Sequence, residues 1–226
     1  MVSRWLRAGM LAGLALEAGT LQGQVEPVPV AQPPPAAFAR FEFAVLAGYR
    51  FESTLTFDEP TRYARVEIDN APTWGVASEY NLNRNYGVEL QYSYASVGAT
   101  AIALLPQTLD RSFHVGMHDF QVGLLAYLSE PTERLRPFLE LALGATVLNS
   151  DQRLDEQVQF SLGVSLGVKY YFSDHVGLRA EVHYVPVYLY STGSDIWWCG
   201  SESICWDTGA RYLQQVDLRA GATFRF

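Results

Sequence analysis

The feature that most constrains this chain is an alternation of apolar and polar residues with a period of two, recurring from about residue 40 to the last residue. Its clearest instance is Gln157 to Phe172. There Val158, Phe160, Leu162, Val164, Leu166, Val168, Tyr170 and Phe172 stand in one phase, with Ser, Gly, Gln and Lys169 in the other. Successive side chains of an extended strand point to opposite faces, whereas a helix repeats its apolar positions every three to four residues. Beyond residue 38 no helical period holds for more than a turn or two, so the body of the chain reads as all-β.

Eight such runs follow one another: Arg40 to Phe51, Thr73 to Leu82, Gly87 to Ser96, Val115 to Leu128, Pro137 to Val147, Gln157 to Phe172, His175 to Tyr190, and Val216 to Phe226 preceded by Tyr212. The connections after the second, fourth and sixth are short turns. Those after the first, third, fifth and seventh are long, roughly residues 52–72, 97–113, 148–157 and 191–209. An even number of strands with alternating short and long connections predicts an eight-stranded antiparallel up-and-down transmembrane β-barrel, with both termini at the short-turn end.

Which solvent the apolar phase meets decides between lipid outside and core inside. In the first run Phe41 and Phe43 precede Val45 and Ala47, and Tyr49 and Phe51 follow; the last run goes from Tyr212 through Val216, Leu218, Ala220 and Ala222 to Phe224 and Phe226. Aromatics at both ends of an aliphatic middle are the pattern of paired interfacial girdles. The other phase mixes glycines with charges of both signs. Glu42, Glu79, Glu89, Asp119, Glu140, Glu181 and Asp217 are expected to meet Arg50, Lys169, Arg179, Arg219 and Arg225, with His183 beside them, in a polar and largely filled interior. Eight strands leave room only for side chains or one small ligand, and charges enclosed there must pair or keep water. A soluble, lipocalin-like barrel carrying these charges on a wet surface is the alternative that the residues leave open.

A length of 226 residues suits a single large β domain. The formal charge of -8, from 16 Lys and Arg against 24 Asp and Glu, offers no basic cluster for phosphates and excludes a nucleic-acid partner. Residues 1–23 read as a signal peptide, with Arg4 and Arg7 before the apolar run Ala8 to Ala18 and small residues after it. Residues 24–38, with prolines at 27, 29, 33, 34 and 35, read as a Pro-rich periplasmic linker. The barrel occupies residues 39–226.

The closing strand ending in Phe226, "RPFLELALGATV" before a long connection, and "YYFSDHVGLRAEVHY" across the sixth and seventh runs resemble the small eight-stranded outer-membrane β-barrels, the group of OmpA-, OmpX- and OmpW-like barrels. The likeness covers about residues 38–226. It implies location in the cell outer membrane and contact with its lipid and lipopolysaccharide. It also implies insertion by the barrel assembly machinery, which in this family reads a last strand ending in an aromatic, here Phe224 and Phe226. An extracellular ligand would then be met by the loops.

Little else in the sequence points to chemistry. Cys199 and Cys205 lie close enough to form a disulfide stapling the last long loop, worth roughly 2 kcal/mol by chain entropy, and Trp197, Trp198 and Trp206 flank them. His183 with Glu181 faces inward, as do Ser161 and Ser165, so a hydrolytic triad is geometrically conceivable, but the His-x-Ser spacing of lipid A deacylases is missing. His114 and His118 would share a metal only on a helix. No catalytic, cofactor-binding or metal residues are therefore expected. The expected role is a non-enzymatic structural or surface-interaction barrel. A narrow channel or carrier for small hydrophobic solutes comes second, and a lipid-modifying enzyme third.

Overall fold

The computed structural model describes residues 39–52, 54–56, 63–103, 110–129, 134–150, 156–189 and 212–226. Ten strands lie in these segments: β1 (Phe41–Glu52), β2 (Leu55–Thr56), β3 (Tyr63–Ile68), β4 (Ala71–Asn81), β5 (Tyr86–Ala103), β6 (Arg111–Tyr127), β7 (Leu135–Ser150), β8 (Gln157–Tyr171), β9 (Val176–Tyr188) and β10 (Tyr212–Arg225). Eight of them close into a barrel in the order β1-β4-β5-β6-β7-β8-β9-β10, and β10 pairs back onto β1 from Glu42↔Arg225 to Glu52↔Gln215. Every neighbouring pair is antiparallel, and consecutive barrel strands are neighbours throughout. Closure leaves the wall without an open edge to recruit other chains.

Side-chain chemistry makes two of the short turns. Between β4 and β5 the Asn83 carboxamide oxygen accepts from the backbone N–H groups of Asn85 at 2.8 Å and Tyr86 at 2.9 Å. Between β8 and β9 the Ser173 hydroxyl oxygen accepts from Val176 N at 3.0 Å. Asn and Ser at the first turn position compete with strand pairing and reverse the chain locally. The chain end is fastened at the same rim, where Phe226 N donates to the Phe41 carbonyl at 2.8 Å. We refer to this as the turn end and to the opposite rim as the loop end.

The wall is uneven because the long strands extend past the short ones. β5, β6 and β7 run to 18, 17 and 16 residues, whereas β1 and β4 have 12 and 11. β3 continues the line of β4 and pairs with the top of β5, from Ile68↔Ala99 to Tyr63↔Ala103. Residues 97–103, 111–113 and 148–150, together with 63–68, were expected in the long connections, and here they are strand.

The reason is an inversion of the apolar pattern without a change of pleat. Over the lower part of β5 the outward residues are Tyr86, Val88, Leu90, Tyr92 and Tyr94 and the inward ones Gly87, Glu89, Gln91 and Ser93. Above them the outward residues become Ser96, Gly98 and Thr100 and the inward ones Ala95, Val97, Ala99 and Ala101. Alternation read as apolar-outside stops at Tyr94 although the strand does not. The same exchange occurs on β6, where inward Gln121 and Asp119 give way to Met117, Val115 and Phe113.

Candidate functional site: the barrel lumen

The inward side chains fall into four tiers, set by strand register. Nearest the turn end, Lys169 on β8 donates to Glu42 at 2.8 Å, to Tyr127 Oη at 2.8 Å and to Glu79. Tyr171 donates to Glu42 at 2.8 Å and Tyr127 to Glu79. Arg225 reaches Glu42 at 3.1 Å with its guanidinium 3.1 Å from the centre of the Tyr171 ring, and Arg136 lies 3.7 Å from that of Tyr127. These cation–aromatic contacts cover the ionic tier from below.

The second tier centres on Arg179 of β9. Its two terminal nitrogens hold Glu89 at 2.5 and 2.9 Å, its Nε holds Glu181 at 2.6 Å, and Glu140 lies 3.8 Å away. Arg219 approaches the other Glu181 oxygen at 2.6 Å. The bidentate fork fixes Arg179 in one orientation, which a lysine ammonium would not do. In the third tier Arg50 donates to Asp217 at 2.7 and 2.9 Å and to Asp119 at 2.6 Å, while Thr146 at 2.6 Å and Ser93 at 3.2 Å complete Asp119. All twelve residues expected in an interior charge network, Glu42, Arg50, Glu79, Glu89, Asp119, Glu140, Lys169, Arg179, Glu181, His183, Asp217 and Arg219, are buried on the inner face.

The fourth tier, toward the loop end, is apolar. Val66, Val97, Ala99, Ala101, Phe113, Val115, Met117, Leu148, Val185, Val187 and Leu213 form a single buried cluster. The interior expected to be polar is polar only over its lower three tiers. Where the outer wall turns polar, the core must supply the apolar surface, as in a water-soluble barrel.

The conceivable hydrolytic constellation is only partly assembled. Ser165 Oγ stands 2.6 Å from His183 Nδ1 and donates to Glu140 at 2.8 Å. Glu181, the expected acid, is committed to Arg179 and Arg219, and among the described residues His183 Nε2 has no hydrogen-bond partner. Ser161 Oγ is also buried without one. A base oriented for acyl transfer uses both ring nitrogens, one on the nucleophile and one on an acid, with substrate access to the nucleophile. Here Ser165 is fully buried. His118 sits on the outer wall with Nδ1 2.9 Å from Tyr92 Oη, and among the described residues no group of three His, Cys, Asp or Glu is placed to hold a metal. Cys199 and Cys205 lie outside the described residues.

The outer wall between the two rims carries exposed Val45, Leu90, Val122, Leu124, Leu141, Leu143, Leu162, Leu166 and Leu218. Exposed aromatics ring it at the turn end (Phe41, Tyr80, Tyr86, Tyr170, Phe172, Phe224, Phe226) and toward the loop end (Tyr49, Phe51, Trp74, Phe120, Phe160, Tyr184, Tyr212). A continuous apolar belt between two aromatic rings on a closed barrel is a surface built for the hydrocarbon layer of a bilayer. A family profile described as the outer membrane protein beta-barrel domain matches residues 29–226. The chain belongs to this outer-membrane β-barrel family. Its place is the cell outer membrane, and the expected eight-stranded antiparallel barrel is borne out.

Solved structures of other outer-membrane barrels share the fold. Neisserial surface protein A is 13% identical with a TM-score of 0.55, covering 82% of this chain and 97% of its own. OprG from Pseudomonas aeruginosa is 15% identical with a TM-score of 0.56, covering 83% and 97%. Outer membrane protein AlkL, solved in DMPC bilayers, is 17% identical with a TM-score of 0.50, covering 86% and 95%. No curated protein matches the sequence.

Sequence reasoning missed four parts of this outer-membrane barrel's lumen. Glu52 follows the even-numbered inward phase of β1, so extending that strand by one residue would have found it. Tyr171 shares the inward phase with Lys169 and Ser165. Arg136 was placed in a turn, although it precedes Phe138 and Glu140 in phase. The fourth tier was hidden by the pattern inversion.

Proposed function

We propose that this protein is a non-enzymatic outer-membrane barrel that passes little through its lumen and acts at the cell surface through its loop end. The observation that carries this reading is the filling of the lumen. Arg50, Lys169, Arg179, Glu89, Glu140 and Asp217 are at most 1% exposed, in a barrel whose eight strands leave room only for side chains or one small ligand. With the turn end toward the periplasm, the exposed Phe226 carboxy-terminus meets the assembly machinery, and the apolar belt meets outer-membrane lipid and lipopolysaccharide. The Ser165–His183 pair supports no catalysis, because it is enclosed and lacks an orienting acid. Planar-bilayer recording tests the proposal: the purified barrel is expected to give no stable ion-conducting steps, and reproducible unitary openings would overturn it.

A second reading is favoured by the fourth tier. An apolar cluster closed below by ionic tiers suits the passage of a small apolar solute that enters from outside, displaces these side chains and leaves sideways into the bilayer rather than through the lumen. Uptake of a labelled alkane by cells with and without the protein separates the two. Faster uptake supports the carrier, and equal uptake leaves the surface role.

A further inference from the structure

The third tier gathers three carboxyl groups around one guanidinium. Arg50 faces three carboxylates, and its hydrogen bonds go to Asp119 and Asp217. The third, Glu52, has a side chain with no exposed surface; its Oε1 lies 3.9 Å from Arg50 Nε, beyond hydrogen-bond reach, and neither of its oxygens has a hydrogen-bond partner among the described residues. Glu52 is in register with Gln215, which is in register with Val185. Among the described residues the Gln215 amide nitrogen donates to Met117 Sδ at 3.4 Å, and its carbonyl oxygen has no partner. Val185 and Met117 belong to the apolar fourth tier. Acceptor oxygens therefore lie directly beneath the packed apolar fourth tier, as its floor, and a buried carboxyl group without a donor is costly enough to need a reason.

We propose that this floor is a binding site for a small amphipathic cation, a primary ammonium on a short apolar chain. Its N–H groups would donate to Glu52 and Gln215, and its chain would lie among Met117, Val185 and Leu213. A metal ion fits poorly, because the oxygens of Asp119 and Asp217 are already occupied and no three-ligand group exists among the described residues. A neutral alcohol offers Glu52 no charge-assisted hydrogen bond. The tier is closed as it stands, so binding requires side chains to repack, and Met117 is the adaptable one. The site goes beyond the role proposed above and stands whether or not the barrel conducts.

Isothermal titration of the full-length protein, folded in detergent, with n-hexylammonium and with n-hexanol tests this. Hexylammonium should bind wild type saturably, and Glu52→Gln should weaken it by about tenfold or more, the worth of one charge-assisted hydrogen bond. Hexanol should not distinguish the two proteins. Micelle partitioning is common to both proteins and cancels in the comparison. Absent saturable binding, equal affinity of hexylammonium and hexanol for wild type, or an unaffected Glu52→Gln variant would each overturn the proposal. Urea unfolding without ligand gives a second measure. Glu52→Gln should unfold at higher urea than wild type because it replaces a buried carboxyl group that has no hydrogen-bond donor among the described residues, and a lower midpoint would show that the 3.9 Å approach of Arg50 already satisfies Glu52 and would overturn it too.

Discussion

Arg50, like Arg179 in the tier below, faces three buried carboxyl groups. It is fully buried, bridges β1 to β10 through Asp217 and to β6 through Asp119, and is the nearest cation to Glu52. Replacing it with Ala leaves three carboxylates enclosed together. Removal of one member of a buried ion pair costs about 3–5 kcal/mol, so the urea midpoint of Arg50→Ala in lipid vesicles should fall well below wild type. A shift within error would mean that the third tier is open to water. Two glycines on opposite faces of the wall, Gly221 inward and Gly116 outward, make a sharper contrast. A Cβ on Gly221 would stand 1.8 Å from the Val45 carbonyl oxygen, whereas one on Gly116 would meet nothing nearer than Tyr94 at 3.5 Å. Gly221→Ala should therefore prevent β1 and β10 from closing, and Gly116→Ala should be neutral within about 0.5 kcal/mol. The heat-modifiable mobility of the folded barrel on a detergent gel reads both, and a normally folded Gly221→Ala would refute the close approach.

At the level of the strand, β5 records the solvent on each side of the wall. Leu90 and Ser96 share its outward face, but Leu90 is 61% exposed inside the apolar belt and Ser96 stands above Tyr94. A lysine on the lipid face near the midplane costs about 2–4 kcal/mol and near the interface about 0–1. Leu90→Lys should thus destabilise the barrel severely and Ser96→Lys hardly at all. Equal penalties in reversible unfolding would place the membrane boundary elsewhere. The inward face carries the complementary prediction: Val97→Asp buries an unpaired charge in the fourth tier and should cost several kcal/mol, although the position lies beyond the apolar belt.

For the whole molecule, the belt and the rings act only together. An apolar surface that encircles the barrel has no stable contact with water, so carbonate-washed outer membranes should retain the protein and only detergent should release it. Release into the aqueous wash would remove the basis of the belt.

Much of this was legible in the sequence because a strand writes its environment into neighbouring residues. The period of two in Gln157 to Phe172, the inward phase of Glu181 and Arg179, and the terminal aromatics Phe224 and Phe226 all follow from local alternation, and so do the strand count and the up-and-down order. What only the tertiary structure decided is which inward charges meet. Arg50 joins Asp217 across 167 positions, and Lys169 joins Glu42 across 127, because closure and stagger of the sheet set the level of each residue along the axis. Closure also decided where the apolar face crosses from the outside of the wall to the inside. Alternation reports that two faces differ, but it does not report which solvent each one meets; that depends on height along the barrel, which no single strand contains.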